Sequence, residues 1–236
     1  MNDFDPIGEA VYNYHFNQDS TPVFVHSEDF DDDEMHSAYF FRTFQEMPPL
    51  EQLALKQAAG RVLDVGACAG CHSIYLKEKG CEVVALERSK RCVEVLKDRG
   101  LQYVVQADFF QYEAEAFDTI LLLMNGTGIA GTIANLSNFF RKLKELLKPE
   151  GKIYIDSSDL IFLYENEDGS ADINIAGSYY GELIYQTSYK GKYSKSFPWL
   201  YLDFDLLKSY AELAGLQVES VKRGEHYDYL ATITHQ

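Results

Sequence analysis

Three carboxylates, Asp64, Glu87 and Asp108, stand at or just past the ends of successive apolar runs. Asp64 lies in residues 61–70 (RVLDVGACAG), Glu87 follows the apolar run 82–86 (EVVAL), and Asp108 closes a third run in the context VVQADFF. A carboxylate only accepts hydrogen bonds at neutral pH, so Glu87, about twenty residues past a glycine-containing turn, suits the two hydroxyls of a ribose. The turn is built of small residues between Gly66 and Gly70, and a helix over about 69–79 turns its free first amides toward an anionic or polar ligand. Two of the three also have a plainer reading, Glu87 as a surface acid beside Arg88 and Asp108 as the cap of a turn.

For the three to meet, their runs must be neighbouring parallel strands that end on one side of a sheet. Val62, Leu63 and Val65 read as a buried strand broken by Gly66. A helix over 89–99 is stopped by Gly100, and 102–106 makes a third strand. The most apolar segment, 117–124 (FDTILLLM), reads as a central parallel strand. It ends in Asn125-Gly126-Thr127-Gly128, at the point where open α/β sheets bind ligands. The glycines there allow close backbone approach and Asn125 offers an uncharged amide, although an Asn-Gly pair also fits a plain turn. Residues 136–147 form an amphipathic helix, 148–151 (KPEG) a turn, and 152–156 (KIYID) the fifth strand. Residues 160–178 read as a loop, and 179–202 as a β-hairpin turning near Lys190-Gly191-Lys192. Asp203 caps a helix over 204–214, and 216–221 and 227–234 are the last two strands.

The pattern Asp64-x-Gly66-x-Cys68-x-Gly70 resembles motif I, D-x-G-x-G-x-G, of the class I S-adenosylmethionine (SAM) methyltransferases, with Cys68 at the middle glycine. The stretch LLKPEGKIYID is similar to that family as well, and the resemblance spans residues 50–159. It implies an α/β, Rossmann-like fold: a seven-stranded, mostly parallel sheet with an antiparallel last strand, helices on both faces, an N-terminal helical lead-in and an inserted β-hairpin. It implies SAM as cofactor, with S-adenosylhomocysteine (SAH) as product. The turn Gly66, Ala67, Cys68 and Gly70 would pass under the methionine part, with Asp64 near its ammonium group. Glu87, with Arg88 beside it, belongs at the ribose, and Asp108 with Ala107 and Phe109 at the adenine. Asn125 and Gly126 belong near the sulfonium and the incoming acceptor. In-line methyl transfer mainly requires alignment and exclusion of water, so no catalytic residue is assigned. For a hydroxyl acceptor a proton must leave, and Asp156 and His226 are each either its acceptor or a structural residue. The rival readings are an NAD-dependent oxidoreductase, which lacks its G-x-G-x-x-G here, and a SAM-binding protein without catalysis.

Residues 1–59 read as a lead-in or cap and 60–236 as the SAM-binding domain, with a hairpin insert at about 179–202. Of the formal charge of −16, −10 lies in residues 1–60, which hold twelve acidic residues against Arg42 and Lys56. Such a surface repels phosphate backbones and anionic membranes, and the N-P-P-aromatic sequence of nucleic-acid amino-methyltransferases is absent, so the expected partner is a small-molecule acceptor. Four cysteines, no signal-like start and no long apolar run point to the cytoplasm. Cys68-x-x-Cys71 lacks a second ligand pair, so no metal is expected. Within the lead-in, 30–34 (FDDDE) reads as an exposed acidic loop, 38–44 (AYFFRTF) as buried, and Met47-Pro48-Pro49-Leu50 as a helix start. Arg42 either meets the cofactor's carboxylate or pairs with a nearby acid. Nine aromatics between Tyr179 and Phe204 make either a roof over the methyl-transfer site or a dimer interface.

Overall fold

The computed structural model describes residues 4–28, 30–166, 168, 170–172 and 177–236. The lead-in contributes α1 (Pro6–Asn17), β1 (Val23–Ser27), β2 (Asp33–Met35) and α2 (Pro49–Gln57). Alternating strands and helices follow: β3 (Arg61–Val65), α3 (Cys71–Glu78), β4 (Glu82–Glu87), α4 (Lys90–Asp98), β5 (Tyr103–Gln106), β6 (Phe117–Leu122), α5 (Leu136–Leu146) and β7 (Leu147–Ser158). The chain then makes β8 (Glu182–Tyr189), β9 (Lys192–Tyr193) and β10 (Phe197–Leu200), and closes with α6 (Phe204–Leu213), β11 (Leu216–Arg223) and β12 (Asp228–His235).

The main sheet has seven strands in the order β11-β12-β7-β6-β3-β4-β5. β3, β4, β5, β6 and β7 pair in parallel, and β12 runs antiparallel to both β7 and β11. This is the seven-stranded, mostly parallel Rossmann-like sheet that the family resemblance implies. Side-chain alternation along β3 explains the burial on both faces: Leu63 and Val65 enter a core with Phe139, Phe140 and Leu143 of α5, and Val62 enters another with Ala54 and Leu55 of α2 and Leu76 of α3. Each fully buried Leu or Phe contributes on the order of 1.5–3 kcal/mol, so the sheet's central strands are the rigid base of whatever their ends hold.

A second sheet, in the order β10-β8-β1-β2 with β9 on β8, joins the lead-in to the insert. The hairpin turns at Lys190 and Gly191, both with positive φ, as its sequence suggests. Its partnership with β1 was not expected: Phe24 to Ser27 pairs antiparallel with Ser188 to Tyr185. The lead-in is therefore only partly helical. The expected acidic loop 30–34 supplies β2, whose Asp33 and Glu34 pair with Val25 and Phe24 and remain exposed. In 38–44 only Phe40 and Arg42 are buried, and Tyr39 is exposed. α5 stops at Leu146, one residue short of expectation, because Leu147 already pairs with Phe117 at the start of β7. The register then slips between Phe117 and Thr119, so 148–151 form a bulge that accommodates Pro149. In the expected loop 160–178, a short 3-10 turn occupies Leu160–Leu163. Residues 167, 169 and 173–176 of that loop, and 1–3 and 29 of the lead-in, lie outside the described residues. Among the described residues no helix is long and apolar enough to cross a membrane.

Candidate cofactor site

β3 ends under a turn whose backbone alternates in hand: φ is +76° at Gly66, +50° at Cys68 and +85° at Gly70. Gly66 and Ala67 donate to the Leu86 carbonyl at 2.9 and 3.2 Å, and an Arg99 amine donates to the Ala69 carbonyl, so the turn is tied to β4 and α4. Gly66 is exposed although it continues a buried central strand, and a Cβ built on it would meet nothing nearer than Ile129 Cδ1 at 3.9 Å. The turn thus presents bare backbone to open space. Cys68 carries the strain of an L-residue in the left-handed region, roughly 1 kcal/mol. Its thiol packs with Ala69, Val95 and Met124, 4.0 Å from Cys92 Sγ, and contact with Cys92 together with burial pushes its pKa well up. Cys68→Gly should therefore raise stability by about 0.5–1 kcal/mol and leave SAH affinity within twofold. Thermal unfolding and calorimetry check both; a loss of stability would show that thiol packing outweighs the backbone strain.

The three carboxylates sit at the carboxyl ends of the adjacent strands β3, β4 and β5 or just beyond. Asp64 is buried, accepts from Ser73 Oγ at 2.6 Å and has its pKa raised by burial. Glu87 accepts Cys68 N on Oε2 at 2.8 Å and Ser89 N on Oε1 at 2.7 Å; burial raises its pKa and the two amides oppose the rise. Each Glu87 oxygen keeps a second lone-pair direction, so the carboxylate shapes the turn and still has accepting capacity. Asp108 is exposed and accepts Phe110 N at 2.8 Å, which makes it the cap of the 3-10 turn Phe109–Gln111. The Phe109 ring points into the core, 5.6 Å from Phe139. Arg88 is exposed, and its carbonyl accepts from Gln106 Nε2 at 3.4 Å.

β3 lies between β4 and β6, so chain order reverses there and the β6 end is the switch point. Met124 and Asn125 follow it with φ of +67° and +60°, two consecutive non-glycine residues in the left-handed region. Asp156, on β7, holds this bend: its two oxygens accept Met124 N and Gly126 N, each at 3.0 Å, and burial raises its pKa to about 6. The Asn125 amide is tied to β10 and β7. Its Nδ2 donates to the Leu200 carbonyl at 3.2 Å and its Oδ1 accepts from Ser157 Oγ at 2.9 Å. Gly128 is required by contact, because a Cβ there would stand 2.1 Å from the Trp199 ring.

A buried charge cluster missed in the sequence lies beside the turn. Glu51 Oε2 accepts from Arg42 Nη2 and, at 2.7 Å, from His72 Nε2. Arg42 Nη1 donates to Tyr39 O at 2.6 Å, its guanidinium lies 3.9 Å from the Tyr39 ring centre, and its buried Nε has no partner among the described residues. The expected pairing of Arg42 with an acid is present, and one donor remains over. The signal was legible: Glu51 interrupts Leu50, Leu53 and Leu55 on a helix that packs on the sheet. Among the described residues no group of three or more His, Cys, Asp or Glu is placed to hold a metal.

An open switch-point sheet with a glycine turn and a carboxylate on each of two neighbouring strand ends has the form of a nucleoside-cofactor site. Residues 63–155 match the family model described as a methyltransferase domain. A SAM-dependent methyltransferase from Bacteroides fragilis, solved in complex with S-adenosyl-L-homocysteine, is 46% identical, with 98% of this chain and 94% of that one covered at a TM-score of 0.90. The fold also matches the CcbJ methyltransferase from Streptomyces caelestis (16% identity, 83% and 97% covered, TM-score 0.63) and the sugar N-methyltransferase KedS8 from a Streptoalloteichus species (16%, 79% and 85%, 0.54). A comparison with proteins of curated function gave no match. The chain belongs to the SAM-dependent methyltransferases, and its cofactor is SAM. Neither rival reading is favoured.

Proposed function

We propose that this enzyme binds SAM across the carboxyl ends of β3, β4 and β5 and transfers its methyl group to a small-molecule acceptor. The bare backbone at Gly66 carries the reading, because a buried central strand that ends in open space at a switch point is a cradle awaiting a ligand. Arg42 Nε supports it, since a buried N–H without an acceptor costs about 1–3 kcal/mol until an anion such as the cofactor's carboxylate meets it. Asp64, Gly66, Ala67, Cys68 and Gly70 take the methionine part, Glu87 and Arg88 the ribose side, Asp108 and Phe109 the adenine side, and Asn125 and Gly126 border the transfer point. Bound SAM supplies an activated methyl group as a sulfonium. The chain's own residues fix its orientation, hold the acceptor and keep water out. The acidic surface supports a small molecule over a nucleic acid as acceptor.

Calorimetry with SAH is the test. Glu87→Gln keeps an oxygen for the Cys68 amide but loses the charge, and should weaken SAH by about 1.5–3 kcal/mol, the share of a charged hydrogen bond. Unchanged affinity in the folded variant would remove Glu87 from the site.

A further inference from the structure

The second sheet and the carboxyl end of β7 border an open cavity of about 330 Å³. Ser158, Leu160 and Phe162 form one wall, and Leu183, Tyr185 and Tyr201 the other, with His226 also on the lining. Both walls are anchored to the switch-point turn. Leu200, one residue before Tyr201, accepts from Asn125 Nδ2 and Thr127 Oγ1, and Ser157, one before Ser158, donates to Asn125 Oδ1. Phe162 and Leu163 on the lining are 41 and 43% exposed, and the Tyr227 ring, 47% exposed with its hydroxyl on Glu165 Oε2, lies 5.2 Å from the Phe162 ring. Isolated exposed apolar residues are ordinary, but a cluster at a cavity mouth marks a binding surface.

The lining selects a chemistry. It contains no Lys, Arg, Asp or Glu, so an ammonium, carboxylate or phosphate group would enter without a counter-charge. The hydroxyls of Ser158, Tyr185 and Tyr201 and the His226 imidazole are its polar groups among aromatic and aliphatic surface. Of the two groups considered for proton removal, Asp156 is not on this lining and its oxygens hold the switch-point turn, whereas His226 is on it. His226 has its backbone N–H fixed on Asp228 Oδ1 at 3.0 Å, and its imidazole makes no hydrogen bond or ion pair among the described residues.

We propose that this cavity is the methyl-acceptor site, that its occupant is an uncharged, flat molecule bearing a hydroxyl, and that His226 is the catalytic residue that takes the hydroxyl proton. This rests on the cofactor placement proposed above. As the acceptor's oxygen forms its bond to the methyl carbon, the carbon–sulfur bond breaks with its electron pair returning to sulfur, and the O–H proton passes to the imidazole. The products are a methyl ether, SAH and a protonated His226, so atoms and charge balance.

Three probes of one size separate the possibilities: p-cresol is neutral, benzylamine cationic and benzoate anionic. Saturation-transfer NMR on SAH-loaded protein should detect p-cresol in preference to the other two. Leu183→Trp, which fills the cavity, should abolish that signal while SAH affinity by calorimetry is kept; Ser158→Leu serves if the first variant does not fold. Equal or better binding of either charged probe, no p-cresol signal at millimolar concentration, or a signal that survives a folded cavity-filling variant would overturn the site or its class. With SAM present, p-cresol should drive SAH release. His226→Gly should lower that rate about a hundredfold, the usual scale of general-base help, with p-cresol binding kept and with partial rescue by added imidazole. Binding without turnover in the wild type, or an undiminished rate in the variant, would remove the proton-transfer role. A failure of the cofactor placement shows separately, as a SAH affinity indifferent to Glu87→Gln.

Discussion

Glu51→Ala should destabilise the fold by about 3–5 kcal/mol, the scale for removing one partner of a buried ion pair. The substitution leaves two basic side chains, Arg42 and His72, buried without the carboxylate that both of them address. Burial alone would raise the Glu51 pKa, but His72 and Arg42 outweigh it and hold Glu51 below the usual carboxylate range. Burial pushes His72 down, and Cys71, Glu51 and Asp64 together push it well above an ordinary imidazole. The signs follow from linkage. The depressed Glu51 adds stability that is present above its unfolded pKa and lost as pH falls through its folded one. The raised His72 adds stability that is complete below its unfolded pKa and lost as pH rises through its folded one. Both contributions are present at neutral pH, where the alanine variant should melt roughly 10–15 °C lower. Urea unfolding of wild type, Glu51→Gln and Glu51→Ala measures it, with glutamine intermediate. An alanine variant within 1 kcal/mol of wild type would mean that the cluster is hydrated and that Arg42 is held by something else.

What the sequence made legible is what depends on neighbours in the chain. The glycine turn follows from small residues after an apolar run, and the hairpin turn follows from Lys190-Gly191 between strand-like segments. The pairing of β1 with β8 has no such local trace, since it joins Phe24 to Ser188 across most of the chain. Three residues of acidic strand, β2, look like loop until that neighbour is known. Asn125 was expected to present its amide to the ligand, but the direction of that amide is set by Ser157 and Leu200, which arrive from other elements. The aromatic-rich insert shows the same limit. Tyr185 and Tyr189 share a face of β8, yet the four residue steps from one to the other span about 13 Å of strand. The first borders the cavity; the second is buried with Ala10 and Val23 and donates to Asp19. Aromatic density announced the insert, and register decided which rings face a site.

Asp156→Asn should weaken SAH binding at least tenfold at pH 8 without lowering stability by more than about 1 kcal/mol. The reason is that this carboxylate constrains the turn and strains the fold at once. Two consecutive left-handed residues, Met124 and Asn125, need an acceptor on each side of the bend, and the ionised carboxylate supplies both. Ionisation in that place is unfavourable, because burial raises the pKa from 3.8 to about 6. The stability due to Asp156 is therefore complete below pH 3.8 and falls by about 3 kcal/mol as pH rises through 6. Affinity should move the other way, since a protonated carboxyl offers an O–H where one of the two amides needs an acceptor, and the bend beside the cofactor loosens. Glu51 and His72 also act on Asp156, but their own pKa values are displaced downward and well upward, away from the interval near 6. Between pH 8 and pH 5 wild-type SAH affinity should thus decline while the Asp156 contribution to stability grows. In Asp156→Asn both trends near pH 6 should flatten. Calorimetry and urea unfolding on the two proteins at matched pH supply the measurements, and an asparagine variant that binds SAH as tightly as wild type at pH 8 would show that the bend needs no carboxylate to hold it.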